Sequence, residues 1–226
     1  MKPEYMYDLE QGSQEWLKLR RGIVTASVAK NLLTSKFKIA DNQSVKTLAN
    51  ILASERITGR LTPHYETFDM ARGHVEEEIA RDVYEKNFNT VKTCGFIFNG
   101  FGFSPDGLVG EDGFIEIKSR QAKFQVETIL ADAVPEEYMV QCQMGFLVSE
   151  RKWCDFIQYS NGMPLFVKRV MPDAAILAPL AEALDLFEAR VQKIVYEYKA
   201  KCLENAYVET EWVDHVEFSD EITGSN

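Results

Sequence analysis

At 226 residues, with 46% apolar residues, the chain has the length and core material of one domain of ordinary size. Its net charge of −10 argues against binding DNA over an open basic surface. No apolar run approaches the roughly 18 residues of a membrane span. Met1 to Glu10 is acidic and aromatic rather than a secretion signal, so the expectation is a soluble, cytoplasmic protein.

Gln14 to Arg20 reads as a short helix, and Thr25-Ala26-Ser27 as a cap leading into another, Val28 to Leu33. Hydroxyls at a helix start, with free backbone N–H groups and Arg20 and Arg21 close by, make an anion site that fits a phosphate. An ordinary N-cap is the alternative. Phe37 to Ser44 is a polar loop, and Val45 to Thr58 is a helix that stops at Gly59. Between Trp16 and Lys46 there are seven basic residues and one acidic, a net of +6 that leaves −16 for the rest. One basic patch on an acidic body suits a protein that holds a polyanion in a groove or channel. Phe68 to Phe88 is a further helix, interrupted only by Gly73. Each helical step turns about 100°, so only one or two of Glu76, Glu77 and Glu78 can face inward. Glu77, four after Gly73, is the inward candidate. Glu76 and Glu78 are expected in solvent, and His74 is expected solvated or hydrogen-bonded.

Strands follow at Phe96–Phe103 and Phe114–Lys118, around Ser104-Pro105-Asp106-Gly107. Val109 to Gly113 reads as the turn that folds the second strand back, bringing Asp106 near Glu116. Phe114 to Lys118 alternates, so Ile115 and Ile117 can enter a core while Glu116 and Lys118 point into a cleft. Two carboxylates and an ammonium in one cleft suit metal-assisted phosphodiester hydrolysis, since hard cations take oxygen ligands. A surface hairpin with a solvated Glu–Lys pair is the plainer alternative. Pro135 opens a helix that carries Tyr138 to Val148 and offers Gln141. Trp153–Tyr159 and Leu165–Val170 flank a hairpin signal, Ser160 to Pro164. Asp173 starts a long helix to about Asn205, a structural brace, followed by an acidic tail from Glu209. Cys94, Cys142, Cys154 and Cys202 are widely spaced and read as buried hydrophobes. The pattern is α/β (α+β), a central mixed sheet flanked by helices. The whole chain, 1–226, is expected as a single domain with parts 1–60, 68–170, 173–205 and 209–226.

In this order, five stretches together resemble the lambda-type phage exonucleases, the viral recombinase alkaline exonucleases of the PD-(D/E)xK superfamily. They are Leu19 to Ser27, Gly73-x-x-x-Glu77, Ser104-Pro105-Asp106-Gly107, Glu116-Ile117-Lys118 and Tyr138-x-x-Gln141. The resemblance implies a restriction-endonuclease-like core that digests linear double-stranded DNA from the 5′ end and leaves a 3′ single strand. It implies Mg2+, with Mn2+ as a substitute, a homotrimeric ring, and a partner that anneals single strands in recombination. It implies that Asp106, Glu116, the main-chain carbonyl of Ile117 and Glu77 bind the metal. Lys118 positions or activates the attacking water with support from Gln141. Arg20, Thr25 and Ser27, with Arg21 beside them, correspond to the 5′-phosphate pocket. Two positions depart from the pattern: Gly145 stands where many superfamily members have a tyrosine, and Arg72 where an aromatic often precedes the glycine. An endonuclease on the same core, and a non-catalytic DNA-binding recombination factor, are the alternative readings.

Overall fold

The computed structural model describes residues 2–62 and 68–213. It divides into a unit of residues 1–195 and a second of 196–226. Strand β1 (Glu4–Met6) precedes helix α1 (Gln14–Arg20), capped by Ser13, whose hydroxyl accepts the Trp16 N–H. A single turn, α2 (Ala26–Ala29), runs into a 3-10 turn at Lys30–Leu32. Helix α3 (Gln43–Thr58) begins two residues before the predicted start because Asn42 caps it, and it ends in the left-handed Gly59. Helix α4 (Phe68–Asn87) runs through Gly73 unbroken.

The predicted strand 96–103 is two short strands, β2 (Phe96–Phe98) and β3 (Gly102–Phe103), joined by a tight turn with Gly100 at φ +77°. They form a sheet in the order β1-β2-β3. The main sheet holds β4 (Gly107–Val109), β5 (Gly113–Ser119), β6 (Trp153–Tyr159) and β7 (Phe166–Val170) in that order. β4 and β7 run antiparallel to their neighbours, while β5 and β6 are parallel, so the sheet is mixed as expected. A parallel pair needs a crossover. Two helices supply it, α5 (Ala122–Ala131) and α6 (Glu136–Ser149). The sequence pattern signals only α6. What holds α5 is a buried amide pair: Gln125 and Gln158 bond each other at 3.0 Å, and Thr128 donates to Gln158 at 3.2 Å.

The alternation along β5 sorts the two faces. Ile115 and Ile117 pack with Ala80 and Tyr84 of α4, and Phe114 packs with Phe156, Met144 and Phe146 on the α6 side. Helix α7 (Ala174–Asn205) lays Ile176, Leu180, Leu184, Phe187 and Val191 on that second core. Of the four cysteines, Cys94, Cys142 and Cys154 are buried and Cys202 is half-buried. Among the described residues no helix is long and apolar enough to cross a membrane. The tail beyond Val213 lies outside the described residues.

Candidate active site

β4 pairs with β5 only as far as Gly107 opposite Ile115, yet β5 continues to Ser119. Asp106 takes the vacated edge: the Ile117 N–H donates to its Oδ2 at 2.5 Å. The predicted hairpin therefore does bring Asp106 to the Glu116 strand. Glu116, 1% exposed, faces α6. Its Oε1 accepts from Lys118 Nζ at 2.6 Å and from Gln141 Nε2 at 2.5 Å. From the α4 side, Arg81 donates through Nε to the Asp106 carbonyl at 2.8 Å and through Nη2 to Glu77 at 2.5 Å. Four of the expected residues, Asp106, Glu116, Lys118 and Gln141, thus meet at one sheet edge, and Arg81 brings Glu77 to them.

The electrostatics mark a carboxylate cluster short of positive charge. Burial, then the neighbouring Asp106, push Glu77 up to about 8. Burial pushes Glu116 up to about 7 against the pull of Lys118, and Asp106 is raised by burial as well. Burial draws the Lys118 ammonium down, but Glu116 and Asp106 outweigh it and leave it raised. Among the described residues no three His, Cys, Asp or Glu side chains stand together as a ready metal cage. The donor set nonetheless fits a hard divalent cation. It offers carboxylate oxygens, and Glu116 Oε2 is buried without a hydrogen-bond partner among the described residues. A strand residue's N–H and C=O point to the same side, so the Ile117 carbonyl faces the edge that Asp106 fills.

The basic cluster assembles beside this edge. Arg20 lies with its guanidinium carbon 4.0 Å from the centre of the Trp16 ring. It reaches Ser104 Oγ at 3.4 Å and Thr25 Oγ1 and Ser27 Oγ at 3.5 Å, long contacts that leave the guanidinium loosely held. Thr25 sits at the α2 N-cap, but its hydroxyl makes no capping bond and turns to Ser27 at 3.1 Å instead. Burial lowers the Arg20 pKa to about 10 against the opposing field of Glu55. The structure does not bring Arg21 into this group; its guanidinium turns away to the Gly59 carbonyl.

Three members escaped the sequence reading. Ser104 accepts from Trp16 Nε1 at 2.9 Å and from Arg20, a role its place two residues before Asp106 could have signalled. Trp16 was visible only as a helix residue. Arg81, four after Glu77, could have been found from that spacing. One expectation is corrected: Glu76 is half-buried rather than solvated, accepting from the Ser119 hydroxyl and lying 3.6 Å from Arg72. Glu78 and His74 are exposed. Arg72, in place of an aromatic, also reaches Ser119 Oγ at 3.4 Å. Gly145 is buried under Phe114 and Phe103; a Cβ there would lie 2.6 Å from the first ring. No tyrosine fits, and Gln141 finds its partner in Glu116.

The sequence matches the YqaJ-like viral recombinase domain over residues 15–152, most of its length. The chain belongs to the YqaJ-like viral recombinase family. It is therefore an enzyme of a nuclease family. Among solved structures, the alkaline exonuclease LHK-Exo of Laribacter hongkongensis shares 30% identity over 85% of this chain and 99% of its own, with a TM-score of 0.76. The same enzyme in complex with dAMP gives 31% and 0.77 over the same shares. A phage-related exonuclease of Haemophilus somnus 129PT, at 12% identity, shares the fold alone, covering 78% of this chain and 96% of its own with a TM-score of 0.59. No curated protein matches the sequence.

Proposed function

We propose that the chain is a 5′-to-3′ exonuclease on linear double-stranded DNA. It depends on Mg2+, accepts Mn2+, and leaves 3′ single strands for recombination by annealing. The observation that carries this reading is the adjacency of the two clusters. Ser104 belongs to the Arg20 group and Asp106 to the carboxylate edge. Two steps of chain separate them, at most about 7 Å between Cα atoms. A pocket for a terminal phosphate this close to the cutting site leaves space for the end of a strand rather than for continuous duplex.

The geometry supports the following roles. Asp106, Glu116 and the Ile117 carbonyl would be the oxygen donors that hold the cation, with Glu77, now bonded to Arg81, as the further carboxylate. When bound, the cation supplies Lewis acidity and a water of lowered pKa. Lys118, held charged against Glu116, stabilises negative charge as it grows on the attacked phosphate. Gln141 fixes Glu116 and offers its carbonyl oxygen to orient water. Arg20, Thr25, Ser27 and Ser104 hold the 5′-phosphate, with Trp16 as the wall behind Arg20. Assembly into a homotrimeric ring would let an acidic chain carry DNA through a basic interior, with a single-strand annealing protein taking the product.

A time course on 5′-phosphorylated, 5′-end-labelled linear duplex in Mg2+, beside a closed circle, tests the reading. The expected result is release of the label as mononucleotides with the circle intact. Nicked or linearised circles would replace it with an endonuclease, and binding without cleavage would replace it with a binding factor.

A further inference from the structure

Arg20 is the last residue of α1, and the backbone reverses just beyond it at Gly22, φ +68°. Both polar backbone atoms of Gly22 are taken by adjacent side chains at the end of α3. Its N–H donates to Glu55 Oε2 at 2.8 Å, and its carbonyl accepts from Arg56 Nε at 2.6 Å. Glu55 is 5% exposed, and its other oxygen accepts the Thr62 N–H at 3.0 Å. The outer nitrogens of Arg56 then fork onto Glu188 of α7 with two bonds of 2.7 Å. A Cβ on Gly22 would lie 2.6 Å from Arg56 Cγ, so turn and arginine are packed without a gap.

We propose that Glu188 and Arg56 are positioning residues for the phosphate pocket. Glu188 on α7 fixes Arg56, Arg56 with Glu55 fixes the Gly22 turn, and the turn aims Arg20 at the terminal phosphate. The inference rests on the pocket reading given above. It assigns the long helix a part in substrate choice rather than in bracing alone. Arg20 needs such outside support because its hydroxyl partners stand at 3.4–3.5 Å and hold it weakly. Arginine is required at position 56, since a lysine cannot both fork a carboxylate and donate Nε to a carbonyl.

Charge alone predicts the opposite sign, which makes the inference testable. Replacing Glu188 by Gln removes a negative charge and, acting only through the field, would favour an anionic end. Loss of aim disfavours it. The experiment measures kcat/KM on 5′-phosphorylated and 5′-hydroxyl duplex ends for wild type, Arg20→Ala, Glu188→Gln, Arg56→Lys and the Glu188→Gln/Arg56→Lys double variant. The expected result is a phosphate-to-hydroxyl ratio that collapses in Arg20→Ala. In each clasp variant it falls roughly tenfold, and in the double variant no further than in either single, because both act through one turn. Activity on the hydroxyl ends shows that each variant is folded. If Arg20→Ala lowers the ratio while the clasp variants keep or raise it, the clasp is structural only and the inference is overturned. If Arg20→Ala leaves the ratio unchanged, the pocket reading falls and takes the inference with it.

Discussion

Lys118 and Glu116 show how one residue's setting decides its chemistry. An exposed Glu–Lys pair contributes little. Here the carboxylate is 1% exposed, its Oε1 is held by Lys118 and Gln141, and its Oε2 has no partner among the described residues. Lys118→Ala is expected to lower the cleavage rate by about 10²–10³, the usual loss for one donor at a developing oxyanion. Asp106→Ala should cost at least as much, because the variant also strips the Ile117 N–H of its acceptor. Both are read by end-labelled digestion beside far-UV circular dichroism; a folded variant with full activity would sink the assignment. The main members of this site were legible in the sequence because strand alternation is rigid: Ile115 and Ile117 entering a core forces Glu116 and Lys118 to the other face. Arg81 and Glu76 were not, because α4 offers charges at every position from Glu76 to Glu78. Only the bonds of Arg81 to Asp106 and Glu77, and of Ser119 to Glu76, show which of them turn inward.

At the scale of elements, the sequence showed the helices with strong caps and the long strands, and missed what depends on partners. α5 has no sharp start signal and exposes Val126, Ile129 and Leu130; the buried Gln125–Gln158 pair that anchors it exists only after β6 has formed. β1 is three residues long and is defined by pairing with β2. The α6 glycine belongs to this scale too. Gly145→Ala should destabilise by about 1–3 kcal/mol, because the new carbon meets the Phe114 and Phe103 rings. The melting temperature should drop by some 2–4 °C for each kcal/mol, and calorimetry checks it. The α3–α7 clasp carries a pH signature. Its hydrogen bond to Arg56 holds the Glu188 carboxyl below the usual range. A group depressed in the folded state adds stability above its unfolded pKa of about 4.3 and loses it as pH falls through the folded value. Urea midpoints should therefore separate wild type from Glu188→Gln at pH 7 and converge toward pH 3. The gap should stay near 1 kcal/mol or less, because the pair is partly open to water.

At the scale of the molecule, a net charge of −10 and a DNA substrate are reconciled if the basic stretch between Trp16 and Lys46 faces a shared channel. Small-angle scattering is expected to give the mass of three 25.8 kDa chains at working concentration; a monomer would remove the ring and leave the net charge of −10 unreconciled with a DNA substrate. The mixed sheet places the candidate site at an edge: β4 stops, β5 runs on, Arg81 of α4 reaches Asp106 and Gln141 of α6 reaches Glu116. One wall of the Arg20 group has an optical consequence. The chain has three tryptophans: Trp16 under the Arg20 guanidinium, Trp153 under that of Arg169 at 3.9 Å, and Trp212 in the second unit. With Trp153 and Trp212 replaced by phenylalanine, the remaining indole would be a built-in fluorophore. If the Arg20 group is the phosphate pocket proposed above, its emission would report binding of a charged strand end without any label on the DNA.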